Sequence, residues 1–232
     1  YSKLHEACGS KAADYSFTNI WGWAEYYGLE WRFDDDGLCW IRQTAPEEIY
    51  WAPVGDWRGV DWKNRPETAP GSKYIRVPQE LAEIWREALP ESVRLEETRD
   101  HWDYLYLTEE LATLPGNRFH KKKNLFNQFK KLYPGYHYLS MTLECVESVL
   151  TMQEEWCQWR ECMKSNALLE ENAAVERVLR HWDRLPQLRG GFISIDNKVV
   201  AYTVGEKLTE DTLVVHFEKG CTEHKGIYQA IN

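Results

Sequence analysis

VVAYTVGEKLTEDTLVVHFEKGCTEHKGIYQAIN, residues 199–232, decides how this chain is read. Val199–Glu206 and Thr212–Lys219 are rich in β-branched and aromatic residues and predict strands. A third strand, Gly191–Ile195, precedes them across a turn at Asp196–Lys198. Lys225-Gly226 opens a last helix after a glycine turn. Moving toward the N-terminus, two long helices are expected, Leu143–Cys162 and Leu168–Leu185, and before them a strand at Tyr136–Met141. His120–Leu132 is a helix in which Phe119, Leu125, Phe126, Phe129, Leu132 and Tyr133 share one face and the lysines lie off it. Pro134-Gly135 ends it. Thr108–Leu114 is a short helix stopped by Pro115-Gly116.

The order helix, strand, two helices, three antiparallel strands, glycine turn, helix is that of an N-acyltransferase-like core. The first half has its own series. Residues 14–29 predict a helix with Asp14 or Ser16 as N-cap and Gly28 as stop. Strands follow at Glu30–Phe33, Leu38–Gln43 and Ile49–Pro53, the first two joined through the Asp34–Gly37 turn. Residues 55–72 read as a loop, and Pro78–Leu89 as a helix with Pro78 in its first turn. Val93–Glu97 and Asp103–Leu107 read as two more strands. This half is a candidate degenerate copy of the second, so the fold class is α/β (α+β) with mixed sheets flanked by helices. The division expected is 1–111 and 112–232.

The 232 residues include twelve tryptophans, which suit core packing and cleft walls because each ring buries a large area. No stretch approaches the roughly 18 apolar residues of a membrane span. The six cysteines form no framework, and in a chain this long they predict reduced thiols and a cytoplasmic setting. Cys157 and Cys162, five apart on a predicted helix, read as packing residues, as do Trp156 and Trp159. Phosphate-binding P-loop, dinucleotide and nucleophile-elbow motifs are all missing. Cys221-x-x-His224 is the only metal-like spacing, and no metal or resident cofactor is expected from it.

Net charge is −9, which argues against nonspecific nucleic-acid binding by the whole surface. Between Glu110 and Glu144, however, there is no acid, and Arg118, Lys121, Lys122, Lys123, Lys130 and Lys131 fall in that window. Such an island on an acidic chain points to an anionic partner docked at one place. Its structural alternative is a solvated helix face.

Several stretches carry a family resemblance: DYSFTNIWGW, WDYLYLTEELATLPGNRFHKKKNLFNQFKKLYPGY, MQEEWCQW and the opening 34-residue segment. Together they resemble the phosphatidylglycerol lysyltransferase C-terminal-like family, across nearly all of the chain. The resemblance implies a tandem GNAT-type acyltransferase fold with the working cleft in the second unit. It also implies a relation to enzymes that move an amino acid from aminoacyl-tRNA to a lipid or peptide acceptor. The lysyltransferases proper carry a large membrane-spanning portion that is not visible here. The chain closes inside the helix after the third strand, so the second unit is expected to be incomplete at its C-terminus.

Three groups of residues are candidates for chemistry. Arg118, His120, Lys121, Lys122, Lys123 and Lys130 offer charge to a polyanionic donor, with Asn124, Asn127 and Gln128 as hydrogen-bond donors to phosphate or sugar. Lys225 and Gly226 form a glycine turn at a helix start, where GNAT enzymes cradle the pyrophosphate of coenzyme A. With Gly226 aligned to the first glycine of that signature, Glu223 stands where Gln or Arg belongs and Tyr228 where a small residue belongs. Both disfavour acetyl-CoA. His216 and Glu218, which alternation places on one face of a strand, combine with Glu206 as an acid/base group. A structural His–Glu pair is the plainer account of the same residues.

The expected function is acyl or aminoacyl transfer from a polyanionic donor, aminoacyl-tRNA ahead of acyl-CoA. The acceptor, whether small molecule, peptide or lipid, is left open. Two rivals are an acyl-CoA-dependent N-acyltransferase and a non-catalytic module that binds RNA or an acidic protein through the same helix.

Overall fold

The computed structural model describes residues 1–232, which form two compact units, Tyr1–Asp103 and Tyr104–Asn232. The expected boundary at 111/112 falls inside a short helix, Thr108–Thr113, that belongs with the second unit. Glu110 of that helix pairs with Arg118, and Tyr106 lies under Lys122, so residues 104–113 are tied to the basic segment at 118–122.

In the first unit, helix α1 (Ser2–Cys8) precedes α2 (Phe17–Tyr27). Of the two expected N-caps Ser16 is the one used: its backbone is extended and its hydroxyl accepts from the Asn19 N–H at 3.2 Å, and left-handed Gly28 stops the helix as expected. Strands β1 (Glu30–Phe33), β2 (Cys39–Gln43) and β3 (Ile49–Val54) are antiparallel, and a two-residue β4 (Tyr74–Ile75) pairs in parallel with β3. The sheet is therefore mixed. The turn between β1 and β2 is held by Asp34, whose carboxylate accepts from the N–H groups of Asp36 and Leu38, from Trp40 Nε1 at 2.8 Å and from Arg65 at 2.8 Å. Helix α3 (Gln79–Ala88) has Pro78 as its N-cap rather than in its first turn.

Tryptophan burial in this unit follows the expectation: Trp40, Trp51, Trp57, Trp62 and Trp85 lie in one core with Tyr15, Ile20, Leu38 and Leu81. Tyr15, 1% exposed, donates its hydroxyl to the Arg76 carbonyl at 2.6 Å and accepts from the Ala52 N–H at 3.1 Å. Burial pushes its proton affinity well above that of an ordinary phenol, so the hydroxyl stays a donor.

Val93–Glu97 and Asp103–Leu107 are not strands. Both lie in irregular backbone with no sheet partner, and an isolated strand has no ladder to satisfy its N–H and C=O groups.

The second unit opens with α4 (Thr108–Thr113) and α5 (His120–Leu132). Strand β5 (His137–Ser140) follows, then α6 (Val146–Trp159) and α7 (Asn166–Arg180). Strands β6 (Leu188–Ile195), β7 (Lys198–Lys207) and β8 (Leu213–Gly220) complete an antiparallel sheet of order β5-β6-β7-β8, and α8 (Ile227–Ile231) is the last element. The protein is thus α+β with two four-stranded sheets. No helix is long and apolar enough to cross a membrane.

The two faces of the second sheet carry different partners. Ile193 and Ala201 are paired across β6 and β7 and pack with Phe129 of α5 and Ile227 and Ile231 of α8. Their neighbours Phe192 and Tyr202 are also paired, on the opposite face, because side chains alternate along a strand. There the Tyr202 hydroxyl donates to Gln153 Oε1 of α6 at 2.5 Å, and Gln153 donates on to Asn172 of α7 at 2.8 Å. Leu132, expected inside, is 57% exposed because α5 presents Phe129 to the core and ends one turn later.

The cysteines are not all reduced thiols, as the sequence had suggested. Cys157 and Cys162 form a disulfide, with Cα atoms 5.1 Å apart. The predicted helix ran through both, but α6 stops at Trp159 and Glu161 adopts a left-handed conformation that folds Cys162 back toward Cys157. A reducing compartment can therefore no longer be inferred from the cysteines.

Gly226 shows why α8 sits on α5. Its φ is 85°, and a Cβ there would lie 2.4 Å from the Leu125 carbonyl oxygen and 3.0 Å from Phe129 Cβ. Gly226→Ala should cost about 1–3 kcal/mol, through the left-handed conformation and the clash together. The expected readout is a loss of amide hydrogen-exchange protection along α5 and α8. Gly135→Ala, at a site with open space, should stay within about 0.5 kcal/mol. Unchanged protection in Gly226→Ala would mean that the two helices are not seated in this way.

Candidate functional site

The sequence placed His216 and Glu218 on one face of β8; the structure separates them. Thr203 is opposite Glu218 and Val204 opposite Phe217, but Gly205 is opposite Val215. His216 is therefore an extra residue, a β-bulge on β8. Gly205 permits it, since a Cβ at that position would meet the Val214 carbonyl oxygen at 2.4 Å. The bulge changes which residues meet. Glu206 alternates with Tyr202 and so belongs to the α6/α7 face, and His216 Nε2 lies 3.0 Å from Glu206 Oε1. Both side chains are almost fully buried, at 3% and 5% exposed. With Glu206 ionised, Nε2 carries the hydrogen that it donates to Oε1.

Glu218 takes the other face. Asn232, at the end of α8, donates to its Oε2 at 3.2 Å. Burial raises the proton affinity of the Glu218 carboxyl above the ordinary value, while the Asn232 hydrogen bond and the charge of Lys122 work against that rise. Lys122 is half-buried, and its ammonium lies 5.7 Å from the centre of the Tyr106 ring. Among the lysines of the island it is the half-buried one.

The rest of the island stays outside. His120, Lys121, Lys123, Asn124, Asn127, Lys130 and Lys131 are exposed on α5, Gln128 is half-buried, and Lys130 lies 4.5 Å over the Phe126 ring. Arg118 is exposed but is neutralised by its pair with Glu110, an acid just outside the island. Lys225 is exposed in the glycine turn, beside Gly226, whose Cα side is filled by α5. His224 in the same turn lies against Tyr133, with ring centres 5.0 Å apart.

One group was missed from the sequence. Lys219 is 7% exposed; its ammonium is 2.6 Å from Glu171 of α7 and 4.3 Å over the Trp156 ring. A lysine between Glu218 and Gly220 on a strand otherwise facing inward at Phe217 was the available signal: alternation sends Lys219 the same way as Phe217.

A family model described as phosphatidylglycerol lysyltransferase, C-terminal, matches residues 6–232. The fold is similar to the crystal structure of a conserved protein of unknown function from Bacteroides thetaiotaomicron VPI-5482. That likeness has a TM-score of 0.85 and 27% sequence identity, over 99% of this chain and 80% of the other. No curated protein matches the chain. With a family match over nearly its whole length, and with the resemblance already carried by Trp102–Tyr136 and Val199–Asn232, the chain belongs to the phosphatidylglycerol lysyltransferase C-terminal family.

Proposed function

We propose that the chain is an aminoacyl-transfer module that takes an aminoacyl group from aminoacyl-tRNA and passes it to an amine or hydroxyl acceptor. The observation that carries this reading is that the acid-free helix α5 packs, with α8, on the face of the sheet that carries Glu218; the charge of its Lys122 works against the rise that burial gives the Glu218 carboxyl. A polyanion dock and a titratable group are thereby neighbours. Membership of a lysyltransferase family supports the reaction class. The tandem acyltransferase-like fold is part of the same reading, supported by a four-stranded sheet with helices in each unit.

In this mechanism the donor phosphates rest on Lys121, Lys123, Lys130 and Lys131. His120, Asn124 and Asn127 add hydrogen bonds along α5, and Lys225 adds charge from the turn. The acceptor attacks the aminoacyl ester carbonyl, a new bond to carbon forms, and the ester bond to the terminal ribose breaks. Glu218 takes the acceptor's proton and returns it to the departing ribose oxygen. Burial suits it to this, because a carboxyl with raised proton affinity is a better base than an ordinary one. The His216–Glu206 pair, on the far face, is a positioning device that anchors the bulge of β8 and with it the direction of Glu218.

Binding of the full chain to labelled aminoacyl-tRNA at several salt concentrations tests the dock, with acetyl-CoA as competitor. Lys121→Glu, Lys123→Glu and Lys131→Glu together should weaken binding and flatten its log–log salt slope by about 2–3, at roughly 0.7–0.9 per lost phosphate contact. Absence of tRNA binding, or displacement by acetyl-CoA, would overturn the donor assignment.

Glu218→Gln tests the base. The folded chain holds this proton more tightly than the unfolded chain does. The resulting stabilisation is complete below the ordinary value of 4.5 and is lost as pH rises through the higher folded value. The variant should therefore have a higher unfolding midpoint than the native chain at neutral pH and no such advantage in acid. Its tRNA binding should persist while transfer falls about a hundredfold or more. Undiminished transfer would remove Glu218 from the mechanism.

A further inference from the structure

The reaction above has a dock for the donor's phosphates and a base for the acceptor's proton, but no partner for the carbonyl oxygen of the ester. That oxygen gains negative charge when the acceptor adds, and a donor aimed at it is commonly the largest single contribution to such a rate.

The α5/α8 face of the second sheet is open where such a donor is needed. Ile193 and Ala201 pack against α5 and α8, but the next row along the sheet runs Ser140, Gly191, Thr203, Glu218 from the β5 edge to β8. Ser140 is exposed and Thr203 half-buried. Beyond that row Val215, opposite Gly205, is 50% exposed.

Tyr138 stands on this face, opposite Ile193, and is 55% exposed. Its ring lies down across the diagonal neighbour Gly191. A Cβ on residue 191 would run into the phenol oxygen and the ring carbon that carries it. The Gly191 backbone is not left-handed, so its conformation admits any residue and only the ring excludes a side chain. Covering a glycine with a ring supports strand pairing by itself, and phenylalanine would do that equally well. The hydroxyl is what this role leaves over. Those of Tyr15, Tyr74 and Tyr202 donate to the chain itself, whereas that of Tyr138 has no partner there.

The phenol oxygen is thus carried from β5 over β6, with Thr203 next on β7 and Glu218 on β8. Gly191 and Glu218 are two strand spacings apart, roughly 10 Å. An ester carbonyl lying over Thr203, with a hydrogen bond of about 2.7–3.0 Å on each side, fits between the two groups.

We propose that the Tyr138 hydroxyl donates to the carbonyl oxygen of the aminoacyl ester while Glu218 takes the acceptor's proton, an inference that rests on the transfer reading above. The acceptor bonds to the carbonyl carbon, the C=O π pair moves onto oxygen, and Tyr138 holds that charge with its O–H bond intact. When the pair returns, the bond to ribose breaks and the ribose oxygen takes the proton from Glu218.

Hydroxylamine as a probe nucleophile tests this with the full chain and bulk aminoacyl-tRNA at neutral pH, by counting aminoacyl hydroxamate formed above the uncatalysed rate. Tyr138→Phe keeps the ring on Gly191, so the thermal midpoint and the KM for aminoacyl-tRNA should not change. Its kcat should fall about a hundredfold or more, with the pH profile in the same place because Glu218 is untouched. Gly191→Ala retains the hydroxyl but displaces it, and its kcat should fall as well; if that variant does not fold, Tyr138→Phe decides alone. No hydroxamate from the native chain would overturn the transfer reading and this assignment with it. Native activity that persists undiminished in Tyr138→Phe, or a change there in KM alone, would overturn the assignment and leave the transfer reading standing.

Discussion

One residue more on β8 than on the facing stretch of β7 sets which face of the sheet each polar side chain of β8 takes. Upstream of His216, Val214 lies opposite Glu206 and so on the α6/α7 side; downstream, Glu218 lies opposite Thr203 and on the α5/α8 side. A regular strand would have put Val214 and Glu218 on one face. The bulge depends on Gly205, because the Val214 carbonyl comes too close for any other residue there. It is also held from within by the buried His216–Glu206 contact. His216 and Glu218 are thereby kept on opposite faces of the sheet.

The α6/α7 face shows what that separation permits. Lys219, Glu171, Trp156, Tyr202, Gln153 and Asn172 make a polar layer where an all-apolar core would be simpler. A buried ion pair adds little net stability, since desolvation offsets most of the Coulombic attraction. Its effect is on uniqueness. Losing either Lys219 or Glu171 would leave the other charge unpaired, and the hydrogen bonds of Tyr202 and Gln153 are satisfied in one arrangement of α6 and α7. The register of those helices, and through β8 the aim of Glu218, is thus specified by partners rather than by shape alone.

Much of this was legible in the sequence because the relevant signals are local. β-Branched runs marked β6, β7 and β8, the Asp-Gly turn marked the β1–β2 hairpin, and the absence of acids over 111–143 marked α5. What failed depended on distant neighbours. Residues 93–97 and 103–107 have strand-like composition, but no other strand lies beside them, and pairing rather than propensity makes a strand. The Cys157–Cys162 bond was hidden by extending α6 too far, and a left-handed residue such as Glu161 has no strong sequence signature. The bulge was equally silent, with Gly205 as its sole trace. Because the acid/base group was inferred from strict alternation, one inserted residue was enough to divide it.

The position of Lys122 links the two ends of the proposed reaction. Its charge lowers the proton affinity of Glu218, against a larger rise from burial. Under the proposed reaction, a polyanion lying along α5 would offset that charge and raise the carboxyl's proton affinity further. By linkage, protonation of Glu218 must then favour donor binding to the same extent. Under that reaction, an unloaded chain would hold a weaker base behind an exposed basic helix, and a loaded one a stronger base. The half-burial of Lys122 is what makes this coupling effective, since a fully exposed lysine would be screened by solvent and salt before its charge reached the sheet.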